Sequence, residues 1–249
     1  MSANAGAARA HGPTANAGTQ RAELTRIKRL RAPRQNDAVC HARRTAPPMF
    51  TATDLACSRG ERRLFDGLNF TLGSGEWLHV KGENGCGKTT LLRTLIGLAP
   101  PDDGAIRWRG ADIREHAEDY RRAFVYLGHQ PGLKEDLTPL ENLRMSLALD
   151  GFACDEAALL AALRRMGLQG REDLPVRHLS AGQKRRVLLA RLLLRPAQLW
   201  LLDEPLNALD ASAVALLGTL ITDHLGAGGM AVLTSHQPLP LAPGREVVL

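Results

Sequence analysis

The chain has 249 residues, enough for one large domain or one domain with an appendage, and 44% hydrophobic against 23% charged residues is the balance of a globular protein. Its net charge of +6 is unevenly spread: residues 1–48 hold nine Lys/Arg and two acids, a net of +7, which leaves −1 for residues 49–249. The basicity belongs to the N-terminal segment and so argues nothing about what the folded part binds; no nucleic-acid partner is expected.

Residues 1–48 are rich in Ala, Arg, Gly and Pro and close on Pro47-Pro48. They hold too few large apolar side chains to bury a core, so disorder is their expected state. Leu24, Ile27 and Leu30, set among Arg and Lys, have the spacing of a short basic amphipathic turn suited to an acidic surface. The segment has neither the apolar centre of a secretory signal nor the Ser-rich composition of a transit peptide. Two readings stay open: a disordered basic extension, or a start misplaced ahead of Met49, after which recognisable domain sequence begins at once. Cys40, Cys57, Cys86 and Cys154 form no C-x-x-C pair, which suits reduced thiols in a reducing compartment. No apolar run is long enough to span a bilayer, and even Val187–Leu194 is broken by Arg191. At a membrane, something else would have to hold this chain.

The first chemically loaded stretch is Gly82-Glu83-Asn84-Gly85-Cys86-Gly87-Lys88-Thr89, followed by Thr90. It fits G-x-x-x-x-G-K-[ST], with a strand-like run (Trp77–Val80) before it and a Leu-rich helical pattern from Leu91 to Leu98 after it. Strand, glycine loop and helix make a cradle for nucleotide phosphates. The glycines turn backbone N–H groups inward, the helix N-terminus adds free donors, Lys88 reaches the β- and γ-phosphates, and the Thr89 hydroxyl can hold Mg²⁺. Cys86 sits between glycines beside Lys88, so it is expected to be a reactive thiol whose alkylation stops turnover and which MgATP protects. An inert small residue is the other reading.

Further along, Gln130 lies in Tyr126-Leu127-Gly128-His129-Gln130-Pro131. Leu179-Ser180-Ala181-Gly182-Gln183 precedes a basic, Leu-rich helix that Ser180 can cap. The apolar run Leu199-Trp200-Leu201-Leu202 reads as a buried parallel strand and ends in Asp203-Glu204, an acid for Mg²⁺ and an acid to polarise an attacking water. Asn207-Ala208-Leu209-Asp210 follows, and a last strand, Met230–Thr234, delivers Ser235 and His236 at its C-terminal end. That is where α/β sheets keep site residues. Taken alone, Gln130 and His236 also fit structural roles.

These motifs, in this order, resemble the nucleotide-binding domain of ATP-binding-cassette (ABC) proteins, from Phe50 to His236 and on toward Leu249. The resemblance implies an α/β fold over residues 49–249: a P-loop NTPase core of ABC-ATPase type with a small antiparallel β-subdomain and an α-helical subdomain. It implies ATP and Mg²⁺, with residues 82–90 as the phosphate loop and Thr89, Gln130 and Asp203 around the metal. Glu204 matches the catalytic base, acting with Lys88 and His236. Ser180, Gly182, Gln183 and Asp210 match the signature and D-loop, which in this family bind the ATP held by a second, head-to-tail copy. Two departures stand out. The second small residue of the signature is Ala181 rather than Gly, which is acceptable where φ is negative. The position of the usual adenine-stacking aromatic falls near Arg59, whose guanidinium plane could stack instead.

Within the family, the compact span from Met49 and the stretches 128–134, 137–143, 179–186 and 203–210 resemble the ATPase subunits of cytochrome c maturation haem exporters. That resemblance implies a peripheral ATPase on the cytoplasmic face of the bacterial inner membrane, docked on an integral membrane subunit. Docking is expected beside Gln130, in the helical insertion at about 133–177, and the ATP cycle would free haem-loaded chaperone for c-type cytochromes. No direct haem site is expected, since His41, His116, His129 and His224 read as solvated or structural. Another ABC exporter, of drug or lipoprotein type, and a soluble ABC ATPase remain as alternatives.

Overall fold

The computed structural model describes residues 49–130 and 132–249; the basic segment 1–48, with Cys40 and His41, and Pro131 lie outside the described residues. The chain starts with a hairpin of β1 (Phe50–Arg59) and β2 (Arg62–Leu72), then β3 (Trp77–Lys81) runs into the glycine loop and helix α1 (Lys88–Leu95). Strands β4 (Asp103–Trp108) and β5 (Ala111–Asp112) follow, with α2 (Ala117–Ala123) and β6 (Phe124–Leu127). Helices α3 (Pro139–Leu149), α4 (Glu156–Arg165) and α5 (Ala181–Leu194) form the insertion and signature region. Strand β7 (Leu199–Leu202), helix α6 (Ala211–Gly226), β8 (Met230–Thr234) and β9 (Arg245–Val248) complete the described order.

The strands sort into two sheets, as the family resemblance implies. β2-β1-β4-β5 is antiparallel, and β6-β7-β8-β3-β9 is parallel throughout. In the parallel sheet, side-chain alternation splits each apolar run between two cores. Leu78, Val80, Leu199, Leu201 and Val232 pack with α1 and the antiparallel sheet, while Val125, Leu127, Trp200, Leu202 and Leu233 pack with the helical side. Burial on both faces explains why these strands read as unbroken hydrophobic runs.

The sequence pattern carries the first helix to Leu98, but α1 stops at Leu95. Gly97 takes φ +75° and Leu98 is left 70% exposed. A residue in the left-handed region ends an α-helix, and Gly enters it at no steric cost. The helix that follows the signature starts at Ala181, on a Ser180 cap. Ser180 Oγ accepts from the Gln183 N–H at 3.2 Å, and the Gln183 side chain accepts from the Ser180 N–H at 2.9 Å. This reciprocal pair satisfies two backbone donors that the helix start would otherwise leave open. Ala181 is absent from the positive-φ positions, so its methyl group is accommodated.

Candidate active site

Three neighbouring strands, β7, β8 and β3, bring their C-terminal ends together. Lys88 and Thr89 arrive after β3, His236 after β8, and Asp203 and Glu204 after β7. The loop between β3 and α1 depends on glycine. Gly82 has φ +146° and Gly87 φ +117°; a Cβ on Gly82 would sit 2.6 Å from Cys86 Sγ, and one on Gly87 3.1 Å from Leu64 Cβ. Cys86 is half-buried, with its sulfur turned onto Gly82.

Lys88 is buried, and its Nζ donates to the Gly82 and Glu83 carbonyls at 2.9 and 3.0 Å and to His236 Nε2 at 3.0 Å. An ammonium only donates, so His236 accepts through Nε2 and carries its proton on Nδ1. His236 Nε2 also lies 3.4 Å from Glu204 Oε1, a buried oxygen that has no hydrogen-bond partner.

Asp203 is 1% exposed. Its Oδ2 accepts from the Thr89 hydroxyl at 2.7 Å and its Oδ1 from the Thr234 hydroxyl at 2.9 Å. The Thr234 hydroxyl in turn accepts the Glu204 N–H at 2.8 Å, so one side chain ties together both acids of the strand end. Thr89 and Asp203 place two hard oxygen ligands side by side beside the phosphate loop, a donor set that fits Mg²⁺.

Glu204 has φ +48°, a left-handed conformation that costs a non-glycine residue about 1–2 kcal/mol. Arg185, buried beneath it, holds that backbone in place. Its guanidinium donates to the carbonyls of Asp203 and Glu204 at 2.9 Å each, of Gly128 at 3.1 Å and of Pro205 at 3.4 Å. Burial pulls the Arg185 pKa below its usual value, and the Asp203 and Glu204 carboxylates push the other way.

The resulting pocket is about 660 Å³ and is lined by Asn84, Gly85, Gly87, Lys88, Thr89, Thr90, Asp203, Glu204 and His236. His129, Asn207, Leu64, Arg59 and Arg62 complete its wall. The remaining residues read from the sequence lie elsewhere. Glu83 is exposed at the loop, its carbonyl bound by Lys88. Gln130 is exposed and lines a neighbouring cavity, to which Thr89 also contributes. Ser180, Gly182, Gln183 and Asp210 do not line the pocket. They form a surface of their own: a Cβ on Gly182 would meet the Ala208 carbonyl at 2.7 Å, and Arg186 pairs with Asp210 at 2.6 Å. Asp210 caps α6, accepting from the Ala213 N–H and the Ser212 hydroxyl at 2.8 Å each, and these bonds hold its carboxyl below the usual range.

Residues 65–207 match the family model described as ABC transporter. The chain belongs to the ABC transporter family. It is 56% identical over 188 residues to the cytochrome c biogenesis ATP-binding export protein CcmA of Methylococcus capsulatus, covering 76% of this chain and 91% of that protein. Among solved structures, an ATP-binding subunit of an ABC transporter superposes with a TM-score of 0.68 at 31% identity, covering 76% of this chain and 79% of the other. A dimeric ATP-binding cassette bound to ADP and phosphate after hydrolysis superposes with a TM-score of 0.66 at 24% identity, covering 76% and 88%. The assembled pocket is that of an ABC-type ATPase.

Arg185 and Thr234 were missed from the sequence. Arg185 stands in the run Lys184-Arg185-Arg186 and reads there as one more charge on a basic helix, while Thr234 reads as filler in an apolar strand. His224 is structural: its ring stacks on Trp200 at 3.9 Å and 6°, and its Nε2 lies 3.1 Å from the Met230 carbonyl. His129, in contrast, faces the nucleotide pocket.

Proposed function

We propose that this chain is the ATP-hydrolysing subunit of an ABC exporter that serves cytochrome c biogenesis, energising the step that frees haem-loaded chaperone. The observation that carries this reading is the 56% identity over nearly the whole length of an export protein of that name. A complete set of Lys88, Thr89, Asp203, Glu204 and His236 around one pocket supports it.

In this reading the γ-phosphate of ATP takes the place of His236 Nε2 as an acceptor for Lys88, and the displaced imidazole turns to the phosphate's far side. The loop N–H groups and the start of α1 bind the remaining phosphate oxygens. Thr89 and Asp203, with Gln130 as a further ligand, would hold Mg²⁺, which would supply positive charge to the phosphates. Glu204 Oε1, buried and without a partner, orients the attacking water and takes its proton. Ser180, Gly182, Gln183 and Asp210 serve the ATP of a second copy packed head to tail, in keeping with their absence from the lining of their own chain's pocket. ATP gripped from both sides closes the pair, and hydrolysis removes the bridge.

The integral membrane subunit docks at the cavity beside Gln130, which Leu133, Met145 and the exposed Leu98 and Leu149 help to line, and holds the ATPase on the cytoplasmic face of the inner membrane. No described helix is long and apolar enough to cross a membrane. Gln130→Ala is expected to leave ATP affinity within about twofold while cytochrome c maturation falls. The direct test is complementation of a bacterium that lacks its own cytochrome c biogenesis ATPase. The native chain should restore covalent haem attachment to c-type cytochromes and Glu204→Gln should not; failure of the native chain in a complex that forms would sink the reading.

A further inference from the structure

Strand β3 begins Trp77-Leu78-His79-Val80, and His79 is the buried polar exception in that apolar run. A buried polar group needs a partner. The parallel register sets His79 between Leu233 of β8 and Glu246 of β9, and Glu246 is already taken by Lys81 at 2.6 Å. The His79 ring instead places its Nε2 3.2 Å from the Ser235 carbonyl oxygen. A carbonyl only accepts, so Nε2 carries the proton and donates. Among the described residues that carbonyl has no other hydrogen-bond partner.

The register between β3 and β8 ends at Val80 and Thr234, so Ser235 is the first residue past it and His236 the second. The Ser235 hydroxyl accepts the Gln237 N–H at 3.0 Å and donates to the Gln237 carbonyl at 2.8 Å, closing a turn around His236. The His79 bond ties that turn to β3, the same strand that leads into the glycine loop and Lys88. The far end of the connection from β8 to β9 is tied to the same face of β3. Trp77, two residues from His79, donates its indole N–H to the Ala242 carbonyl at 3.0 Å. Its ring stands 5.9 Å from that of His79, and the backbone at Gly244 lies against it, where a Cβ would overlap the indole.

We infer that His79 is a positioning residue for His236: its hydrogen bond to the Ser235 carbonyl holds the His236 turn where the imidazole meets Lys88 and, in the reading above, the γ-phosphate. His79 does not line the nucleotide pocket, so it touches no reacting atom itself. It acts on the step that His236 serves and not on nucleotide binding, which Lys88, Thr89 and the loop N–H groups carry. Misplacing a group at the reacting centre by about 1 Å can cost about a hundredfold in rate, so the loss of one anchoring bond is large enough for kinetics to read. The inference rests on the ATPase reading above and deepens it at His236.

Turnover, KM and equilibrium ATP binding of the full chain, measured on matched variants, test it. His79→Gln and His79→Met have side chains of equal length, but only Gln keeps an N–H donor at its end. His79→Met should lower kcat about tenfold, with KM and ATP affinity within about twofold of native. His79→Gln should bring kcat back to within about threefold of native. Should the Met chain fold poorly, His79→Leu is a second variant without a donor. In a His236→Ala chain, whose turnover should already be about a hundredfold down, adding His79→Met should change it less than about twofold. Met and Gln variants with equal kcat overturn the inference, as does a Met variant whose ATP affinity falls in step with kcat. A further tenfold fall in the His236→Ala chain, about as large as in the native one, also overturns it, because His79 then acts elsewhere. Undiminished hydrolysis by His236→Ala refutes the inference and leaves the ATPase reading standing, whereas a folded native chain that hydrolyses no ATP refutes both.

Discussion

Around Lys88 the polar groups already hold one another, whereas around Ser180 they stand at the surface of the chain. In the first region Thr89, Asp203, Thr234 and Glu204 are linked by bonds of 2.7–2.9 Å, and a buried arginine keeps the left-handed turn at Glu204 in place. In the second, Ser180 and Gln183 satisfy only each other, and Gly182 is pressed onto the Ala208 carbonyl. Both regions are bonded internally, and of the two only the first lines the pocket described above. The first has the arrangement that the proposed reading assigns to the phosphates; the second is a helix N-terminus, an end that favours anions, and does not line that pocket.

The largest break in this comparison comes from Glu204→Gln. Removing the general base should lower turnover about a thousandfold while ATP affinity stays within about threefold, read by single-turnover hydrolysis beside equilibrium binding. Next is Ser180→Arg, which places a bulky cation on the exposed surface and leaves the pocket untouched. Turnover should fall about a hundredfold with ATP binding to the isolated chain unchanged; lost binding would show that the two regions serve one and the same nucleotide.

A third variant probes what joins the regions. Buried Asn142 accepts the Lys134 N–H at 2.8 Å and donates to the carbonyls of Lys134, Leu137 and Thr138 at 3.0–3.2 Å. The same segment bonds Val176 N–H to the Leu137 carbonyl and Arg177 N–H to that of Glu135, just ahead of Ser180. The stretch after Gln130 and the approach to the signature thus form one body. Asn142→Ala should cost about 2 kcal/mol through its unpaired carbonyls, lower the melting temperature by about 5 °C, and cut turnover about tenfold at near-constant ATP affinity. The smallest effect is expected from Ala181→Gly. At an exposed first helical position with negative φ, turnover should stay within about twofold, and stability should change by less than about 1 kcal/mol.

What the sequence discloses about these regions follows a physical divide. Residues that work inside a contiguous stretch were legible: the glycine loop, the Ser180 helix cap, the two acids at a strand end. Their spacing alone sets their geometry, and the apolar run 199–202 likewise foretold a buried parallel strand, whereas the antiparallel sheet was expected only from the family resemblance. Residues that work across elements were not legible. Arg185 reaches from α5 to the carbonyls of the turn after β7, and Thr234 reaches from β8 to Asp203, contacts that only the strand order creates. Arg59 was noted as standing where an aromatic is usual; that Arg62 lies opposite it was visible only once the hairpin register was known. The end of α1 was misplaced at Leu98, because apolar periodicity cannot register the left-handed turn at Gly97.

The central claim is that each ATP is completed by residues of two chains, and mixing two inactive variants tests it most directly. Lys88→Ala spoils the pocket and keeps the Ser180 surface, while Ser180→Arg does the reverse. Mixed in equal amounts, half of the pairs should contain one of each and hold one intact site, so ATPase activity should return to about a quarter of the native level. Activity that stays at the level of the separate variants, in a mixture shown to form mixed pairs, would contradict the account.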